Sequence, residues 1–241
     1  AMAGTKWLFT RRGPAASVFW EAGGLIRSSH KMDYPDIEIQ FGPAGFNFLK
    51  NNGISLDQAF TIHVDQSRPT SVGHIELRSA NPAEKPKMFF NYLDTEDDRQ
   101  RLIQGIRRTR EIIAQKAFDP YRGEEIYPGP DLTTDAELLN YIKANVSTDY
   151  HPSCTCRMGM DADAVVDEEM RVHGINGLRV VDASIMPRIT SANLNAPTQM
   201  IAARAADFIL GRPQLEPFKA NFHFMENASN FEKSMVGNKK N

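Results

Sequence analysis

The sequence predicts an α+β fold, a mainly antiparallel sheet with flanking helices, and three observations predict it. Between residues 35 and 93, apolar and polar residues alternate in several short runs. From about 95 the apolar spacing changes to three or four, the period of a helix. Beyond 150 come short apolar pieces cut by glycine, then one long helical pattern.

Taken in order, residues 1–32 mix loop and apolar pieces. "PDIEIQFG" (35–42), "AFTIHVDQS" (59–67) and "GHIELRS" (73–79) alternate as strands. The link "RPTSV" between the last two is short enough for antiparallel neighbours. "KMFFNYL" (87–93) reads as a further strand, and short links of this kind favour antiparallel pairing. Thr95 and Asp98 form a helix-start pattern, followed at helical spacing by Leu102, Ile106, Ile113 and Ala117, so a helix is expected over 95–117. "DPYRGEEIYPGPD" (119–131) is a Pro/Gly loop. Thr134 with Glu137 opens a second helix carrying Leu138, Tyr141, Ile142 and Ala144. "AVVD", "RVHG" and "LRVVDAS" read as short strands with turns at Gly174 and Gly177. The last helix is "APTQMIAARAADFIL" (196–210), with Asn195 as its cap, Pro197 in its first turn and Gly211 as its stop. The tail 213–241 has no strong period and is expected to be extended or partly disordered.

With 241 residues and 41% hydrophobic content, the chain can bury a real core in one large domain or two small ones. The net charge of -2 and the lack of a basic block before "NKKN" give no reason to expect nucleic acid. No apolar run approaches the roughly 18–20 residues that cross a bilayer. The N-terminus lacks the apolar core of a signal peptide, and Ala1 ahead of Met2 reads as a cloning remnant. Cys154 and Cys156 are no extracellular disulfide framework, so a reducing compartment is the simpler reading.

Chemistry concentrates in "YHPSCTCRMG" (150–159). His151, Cys154, Cys156 and the more distant His173 offer metal-ligand types, but Cys-x-Cys is a poor zinc spacing and no second pair of ligands exists; no metal is expected. A dithiol at this spacing would close a strained ring, and two buried small apolar residues account for the cysteines better. His151 precedes Pro152, which biases it to extended backbone and suits a side chain projected from a loop. A purely structural histidine is the competing reading. "SANLNAPT" (191–198) sets Asn193 and Asn195 just before a helix N-terminus, whose unpaired N–H groups and positive partial charge suit an anion or a polarised carbonyl. Cap and turn roles explain Asn195 well and Asn193 less well.

These residues carry a resemblance. "YHPSCTCRMG", followed by "VVDEEMRVHGINGLRVVDASIMPRITSANLNAPTQMIAARAADFIL", resembles the C-terminal signature of the glucose–methanol–choline family of flavin oxidoreductases. "GTKWLFTRRGPAAS", "WEAGGLIRS", "DPYRGEEIYPG" and "DAELLNYIKANV" are similar to its choline-oxidising members, so the likeness covers roughly residues 4–212. It implies a substrate-binding domain over 1–150, a catalytic and flavin-facing segment over 151–212 that returns to the FAD domain, and an uncovered tail over 213–241. It implies His151 as the active-site histidine and Asn193 as its partner. Oxidising an alcohol removes a hydride and a proton; an imidazole suits the proton, and a carboxamide can donate to the same oxygen without titrating. The resemblance sets Asn195, Ala196, Pro197 and Thr198, at the helix start, against the charge that reduced flavin gathers near N1. Asp182 and Ala183 would approach the ribityl and phosphate side, although a strand-end aspartate also serves as a turn residue. A trimethylammonium group wants aromatic faces and a carboxylate. Phe19, Trp20 and Glu21 offer these, and Glu21 matches a position that faces the cation in choline-oxidising relatives; a strand with a core aromatic is the alternative.

The family's glycine fingerprint G-x-G-x-x-G is absent, since Gly23-Gly24 runs into Leu25, Ile26 and Arg27. The expectation is therefore the C-terminal part of an FAD-dependent choline-oxidising enzyme, intracellular, with the FAD domain as missing partner. A small-molecule substrate and peripheral membrane association belong to the whole enzyme. Alone, the chain is expected to bind little or no FAD. Another alcohol as substrate, or a non-catalytic module for quaternary ammonium, are the competing readings.

Overall fold

The computed structural model describes residues 2–16, 18, 20–47, 53–54 and 59–218. The elements in chain order are α1 (Met2–Thr10), β1 (Ala22–Ile26), β2 (Ile37–Gly42), β3 (Phe46–Asn47), β4 (Gly53–Ile54), β5 (Thr61–Gln66), β6 (His74–Glu76), β7 (Lys87–Phe89), α2 (Glu96–Ile113), α3 (Asp135–Asn145) and α4 (Asn195–Leu210). All paired strands are antiparallel. They form three separate sheets, in the orders β1-β2-β5, β3-β4 and β6-β7. The α+β class is as the sequence predicts. The chain divides into two compact units: Ala1–Ser29, Pro35–Gln66 and Arg99–Val146 form one, and His30–Tyr34, Ser67–Asp98 and Ser147–Asn241 form the other.

In the first unit the three-stranded sheet separates its residues by the two-residue period. One face carries the rows Ala22–Phe41–Ile62, Gly24–Ile39–Val64 and Ile26–Ile37–Gln66. Helix α2 packs on this face closely enough that a Cβ on the buried Gly105 would stand 2.6 Å from Cγ1 of Val64 and 3.4 Å from Cδ1 of Ile37. The opposite face carries the rows Gly23–Gln40–His63 and Leu25–Glu38–Asp65. The fully buried Asp36 is held at the edge: its carboxylate accepts the Ser28 backbone N–H at 2.8 Å and the Ser28 hydroxyl, and lies 3.7 Å from Nε of Arg101. Arg110 of α2 ties down the Pro/Gly loop, donating to Glu125 and to the carbonyls of Gly129 and Leu132. The predicted start of α3 forms in full, with the Thr134 and Glu137 side chains capping each other's backbone N–H.

In the second unit a core of Val166, Met170, Ile185 and Ala205 is lined by Met158, Val165, Val172, Val180, Val181, Ile201 and Phe208. The predicted strands of 164–184 reduce to single bridges, Val166 with Met158 and Val172, and Arg171 with Arg179. The turns fall where expected: Gly174 and Gly177 take φ of 75° and 77°, which an L side chain would resist.

Four expectations need correction. The short link after β5 does not join neighbours: β5 pairs with β2, while β6 pairs with β7 through Glu76 opposite Lys87 and His74 stacked on Phe89 at 4.6 Å. Cross-strand complementarity, not link length, chose the partners. Helix α2 ends at Ile113, and Ala117 lies in a separate 3-10 turn. The strand at 87–93 stops at Phe89, because Asn91 and Leu93 take left-handed φ of 54° and 63°. Helix α4 begins at Asn195 itself: the capping position is Leu194, with no side-chain cap, and Asn195 Oδ1 accepts instead from Nε2 of Gln199 at 3.0 Å. The stop at Gly211 is as predicted, with φ of 62°. Within the tail, residues 213–218 are neither helix nor strand, and 219–241 lie outside the described residues.

The α2–sheet contact gives a direct test. Gly105→Val should lower unfolding free energy by about 1–3 kcal/mol through overpacking against Val64. A chemical denaturation curve reads this as a reduced midpoint with unchanged slope.

Candidate functional site

His151 and Asn193 are 42 positions apart in sequence, and Nδ2 of Asn193 lies 3.3 Å from Nε2 of His151. The contact depends on the backbone between them. The segment after His151 runs alongside 183–185: the N–H of Cys154 donates to the Ala183 carbonyl at 3.3 Å, that of Cys156 to Ser184 at 2.9 Å, and that of Met158 to Ile185 at 2.8 Å. Ile185 and Met186 are buried, so this rung pattern is anchored in the unit's core. Nine residues further on, the chain reaches Leu194, also buried, with Asn193 exposed beside it. Leu194 is thus the peg that presents Asn193.

The imidazole is two-thirds covered, with 33% of its side-chain surface exposed. A second group meets the same nitrogen: Oδ2 of Asp149 lies 3.7 Å from Nε2. Between the two residues, Tyr150 takes a left-handed φ of 59° with its N–H donating to Oγ1 of Thr148 at 3.0 Å. An amide nitrogen only donates, so the contact from Asn193 uses the lone pair of Nε2 and puts the neutral ring's proton on Nδ1. The nitrogen facing these partners is therefore a proton acceptor in the neutral form.

The other sequence-predicted residues distribute as follows. Asn195, Ala196 and Pro197 form the first turn of α4, with Asn195 and Ala196 exposed; Thr198 is half-buried and its N–H donates to the Leu194 carbonyl at 2.9 Å. Pro197 has no N–H, which leaves those of Asn195 and Ala196 as this turn's donors for a polar partner. Oδ1 of Asp182 accepts from the N–H of Ser184 at 2.8 Å and from its hydroxyl, so this carboxylate caps the short turn that follows. The carbonyl of Ala183 is taken by Cys154. Trp20 and Glu21 belong to the first unit, just before β1; Glu21 is exposed and Trp20 half-buried. Phe19 lies outside the described residues. The ring of Trp20 packs on His63 of β5 with centroids 4.3 Å apart. Among the described residues, no group of three or more His, Cys, Asp or Glu side chains is arranged to hold a metal ion, and His173 instead bonds the Gly159 carbonyl at 3.0 Å. Both cysteines are free and half-buried.

Two residues escaped the sequence reading: Asp149 and His63. Asp149 sits two positions before His151, and its carboxylate stands 3.7 Å from the ring with the left-handed Tyr150 between them. His63 meets Trp20 through tertiary packing that no local pattern signals.

Residues 69–202 match the profile of the family described as GMC oxidoreductase. The chain is 50% identical over 220 residues to a Pseudomonas fluorescens protein named oxygen-dependent choline dehydrogenase, covering 91% of this chain and 39% of that protein. A Xanthomonas euvesicatoria protein of the same name is 47% identical over 225 residues, covering 93% and 40%. The chain thus spans about two fifths of the length of these relatives. Among solved structures, it is similar to pyridoxine 4-oxidase from Mesorbium loti, with a TM-score of 0.74 and 28% identity over 81% of this chain and 39% of that one. It also shares the fold of formate oxidase from Aspergillus oryzae, with a TM-score of 0.77 and 24% identity over 87% and 41%.

The loop beyond His151 is pinned by a short clasp whose pH response can be measured. Arg157 donates to both carboxylate oxygens of Asp161, Nη1 to Oδ2 at 2.8 Å, and these hydrogen bonds hold the Asp161 carboxyl well below the usual carboxylate range. A carboxyl whose pKa is lower in the folded state stabilises the fold above its unfolded pKa and loses that contribution as pH falls. The thermal unfolding midpoint should therefore fall below about pH 4, and Asp161→Asn should flatten that acid limb.

Proposed function

The chain belongs to the GMC oxidoreductase family, and we propose that it is the substrate-binding and catalytic-histidine part of an FAD-dependent enzyme that oxidises choline to betaine aldehyde. The observation that carries the reading is the convergence of Asn193 Nδ2 on His151 Nε2 at 3.3 Å. A hydroxyl that takes the place of the Asn193 amide at that lone pair finds an acceptor at Nε2 and a neutral donor beside it. His151 takes the hydroxyl proton at Nε2. Asn193 donates to the same substrate oxygen and, having no titrating proton, holds it without competing for the charge.

FAD, when bound, accepts the hydride. The first turn of α4 fits one edge of such a group: the exposed N–H groups of Asn195 and Ala196, at the positive end of a sixteen-residue helix, face no side-chain cap. On this reading Pro197 and Thr198 shape that turn, and Asp182 and Ala183 lie toward the ribityl side. The fit stops there, since the sequence has no glycine-rich phosphate loop. The grip on the pyrophosphate then belongs to the part of the relatives that this chain does not cover. The reading assigns 1–150 to substrate binding, with Trp20 and Glu21 toward the cationic end of choline, and 151–212 to catalysis and flavin contact. Among the described residues, no helix is long and apolar enough to cross a membrane.

The likeness to pyridoxine 4-oxidase favours one second reading, another primary alcohol in place of choline.

Purified alone, the chain should lack the visible absorbance of a stoichiometric flavoprotein; a yellow product would overturn the assignment of the grip elsewhere. Fused behind the uncovered part of the Pseudomonas relative, it should oxidise choline faster than aliphatic alcohols. In that fusion His151→Ala should lower kcat about 10²–10⁴-fold and Asn193→Ala about 10²-fold. Full activity in the His151 variant would end the proposal.

A further inference from the structure

We infer that His63 is a positioning residue for the cationic end of the substrate: it holds the ring of Trp20 in place as one wall of that subsite. This rests on the proposed function, which sets Trp20 toward the trimethylammonium group of choline. The ring centroids of Trp20 and His63 lie 4.3 Å apart with the planes inclined at 46°, a tilted aromatic contact. Both side chains are half-buried, and both belong to the first unit. A trimethylammonium group has no proton to donate, so its best uncharged partner is the face of an aromatic ring within about 6 Å of the cation. That attraction depends on where the ring points, and a ring serves it only as far as packing locks its rotamer.

The two partners are held unequally. His63 lies inside β5, opposite Gln40 of β2, and β2 is the middle strand of the sheet, paired on its other side with β1. Ladder hydrogen bonds thus fix the root of the imidazole. Trp20 stands two residues before β1, outside any helix or strand, so its backbone has no place in that ladder. His63 therefore passes the rigidity of the sheet to the indole. The face that carries His63 leaves space as well: its row reads Gly23–Gln40–His63, and glycine adds no side chain there. Glu21, the neighbour of Trp20, is exposed and supplies charge, which solvent and salt screen. A histidine that only filled the sheet face would serve charged and uncharged substrates alike.

The test has two arms. In the chain itself, which has two tryptophans, Trp7→Phe leaves Trp20 as the fluorophore. On that background His63→Ala should lower the fluorescence anisotropy of Trp20 with circular dichroism unchanged, and His63→Phe should restore it. In the enzyme fused behind the uncovered part of the Pseudomonas relative, choline is compared with its neutral carbon isostere, in which a tert-butyl group replaces trimethylammonium. His63→Ala should raise KM for choline about three- to thirtyfold, the range of one cation–π contact, with kcat and the KM of the isostere changed less than about twofold. His63→Phe should recover most of that loss. His63→Gln keeps a polar side chain without a ring and should follow His63→Ala, so one variant serves if the other fails to fold. Unchanged anisotropy, or KM shifts of equal size for both alcohols, overturn the inference while the functional reading stands. A wild-type fusion with no preference for choline over the isostere would instead sink the functional reading, and the role of His63 with it.

Discussion

The backbone rungs from Cys154, Cys156 and Met158 to residues 183–185 are the constraint on which the site rests. Side chains 42 positions apart meet at hydrogen-bond distance only if both carrying segments are fixed at their roots. Each rung contributes about 1 kcal/mol net, too little to hold a loop alone. The rungs hold because they lie over Ile185, which is nearly inaccessible and packs with Val166, Met170 and Ala205. Burial fixes the second strand of the pair, the rungs fix the first, and Leu194 fixes the approach to α4. His151 and Asn193 are then the two ends of one braced frame.

The frame is paid for in backbone strain at a few non-glycine residues. Tyr150, Cys154 and Met170 all take left-handed φ, at 59°, 71° and 65°. Met170 is buried in the core and Cys154 makes the first rung, so packing and pairing account for both. Tyr150 is exposed, and its N–H is held by the Thr148 hydroxyl at 3.0 Å. Strain of this kind persists where the surroundings over-determine it.

Much of this was legible in the sequence, and the boundary between legible and hidden is physical. The existence of α2, α3 and α4 followed from spacing, and the Thr134–Glu137 cap formed as its residue types require, because both are local effects. Whereas α1 was not foreseen and the strands expected over 164–184 are single bridges, strands β2, β5, β6 and β7 and their antiparallel sense also followed. Their partners did not: β5 and β6 are separated by a short link yet belong to different sheets, since cross-strand complementarity is invisible along the chain. Asp98 illustrates the same limit. Its N–H reaches Oγ1 of Thr95 as the start pattern predicts, but its buried carboxylate turns away to the N–H groups of Thr70 and Ser71. In the site, His151 and Asn193 stood out by residue type and by their neighbours Pro152 and the helix start. Asp149 was hidden because no local pattern marks which side chain beside a histidine turns toward its ring.

On the proposed reading, the arrangement divides the chemistry of an alcohol oxidation in a definite way. Proton acceptance needs one lone pair and one neutral donor; His151 and Asn193 hold these in contact, and the hydroxyl exchanges with the Asn193 amide at Nε2. Electron acceptance falls to a flavin, toward which the reading offers, among the described residues, a helix end whose first two residues are exposed. Exchanging one hydrogen bond between groups already in place costs little reorganisation, which is the condition for electrostatic preorganisation. A helix end, by contrast, contributes at most a few kcal/mol to an anion and cannot retain a dinucleotide by itself. On that reading the two halves of the reaction are separable in the polypeptide: core packing within one unit sets the geometry of proton transfer, and the part of the relatives that this chain does not cover sets the occupancy of the electron acceptor.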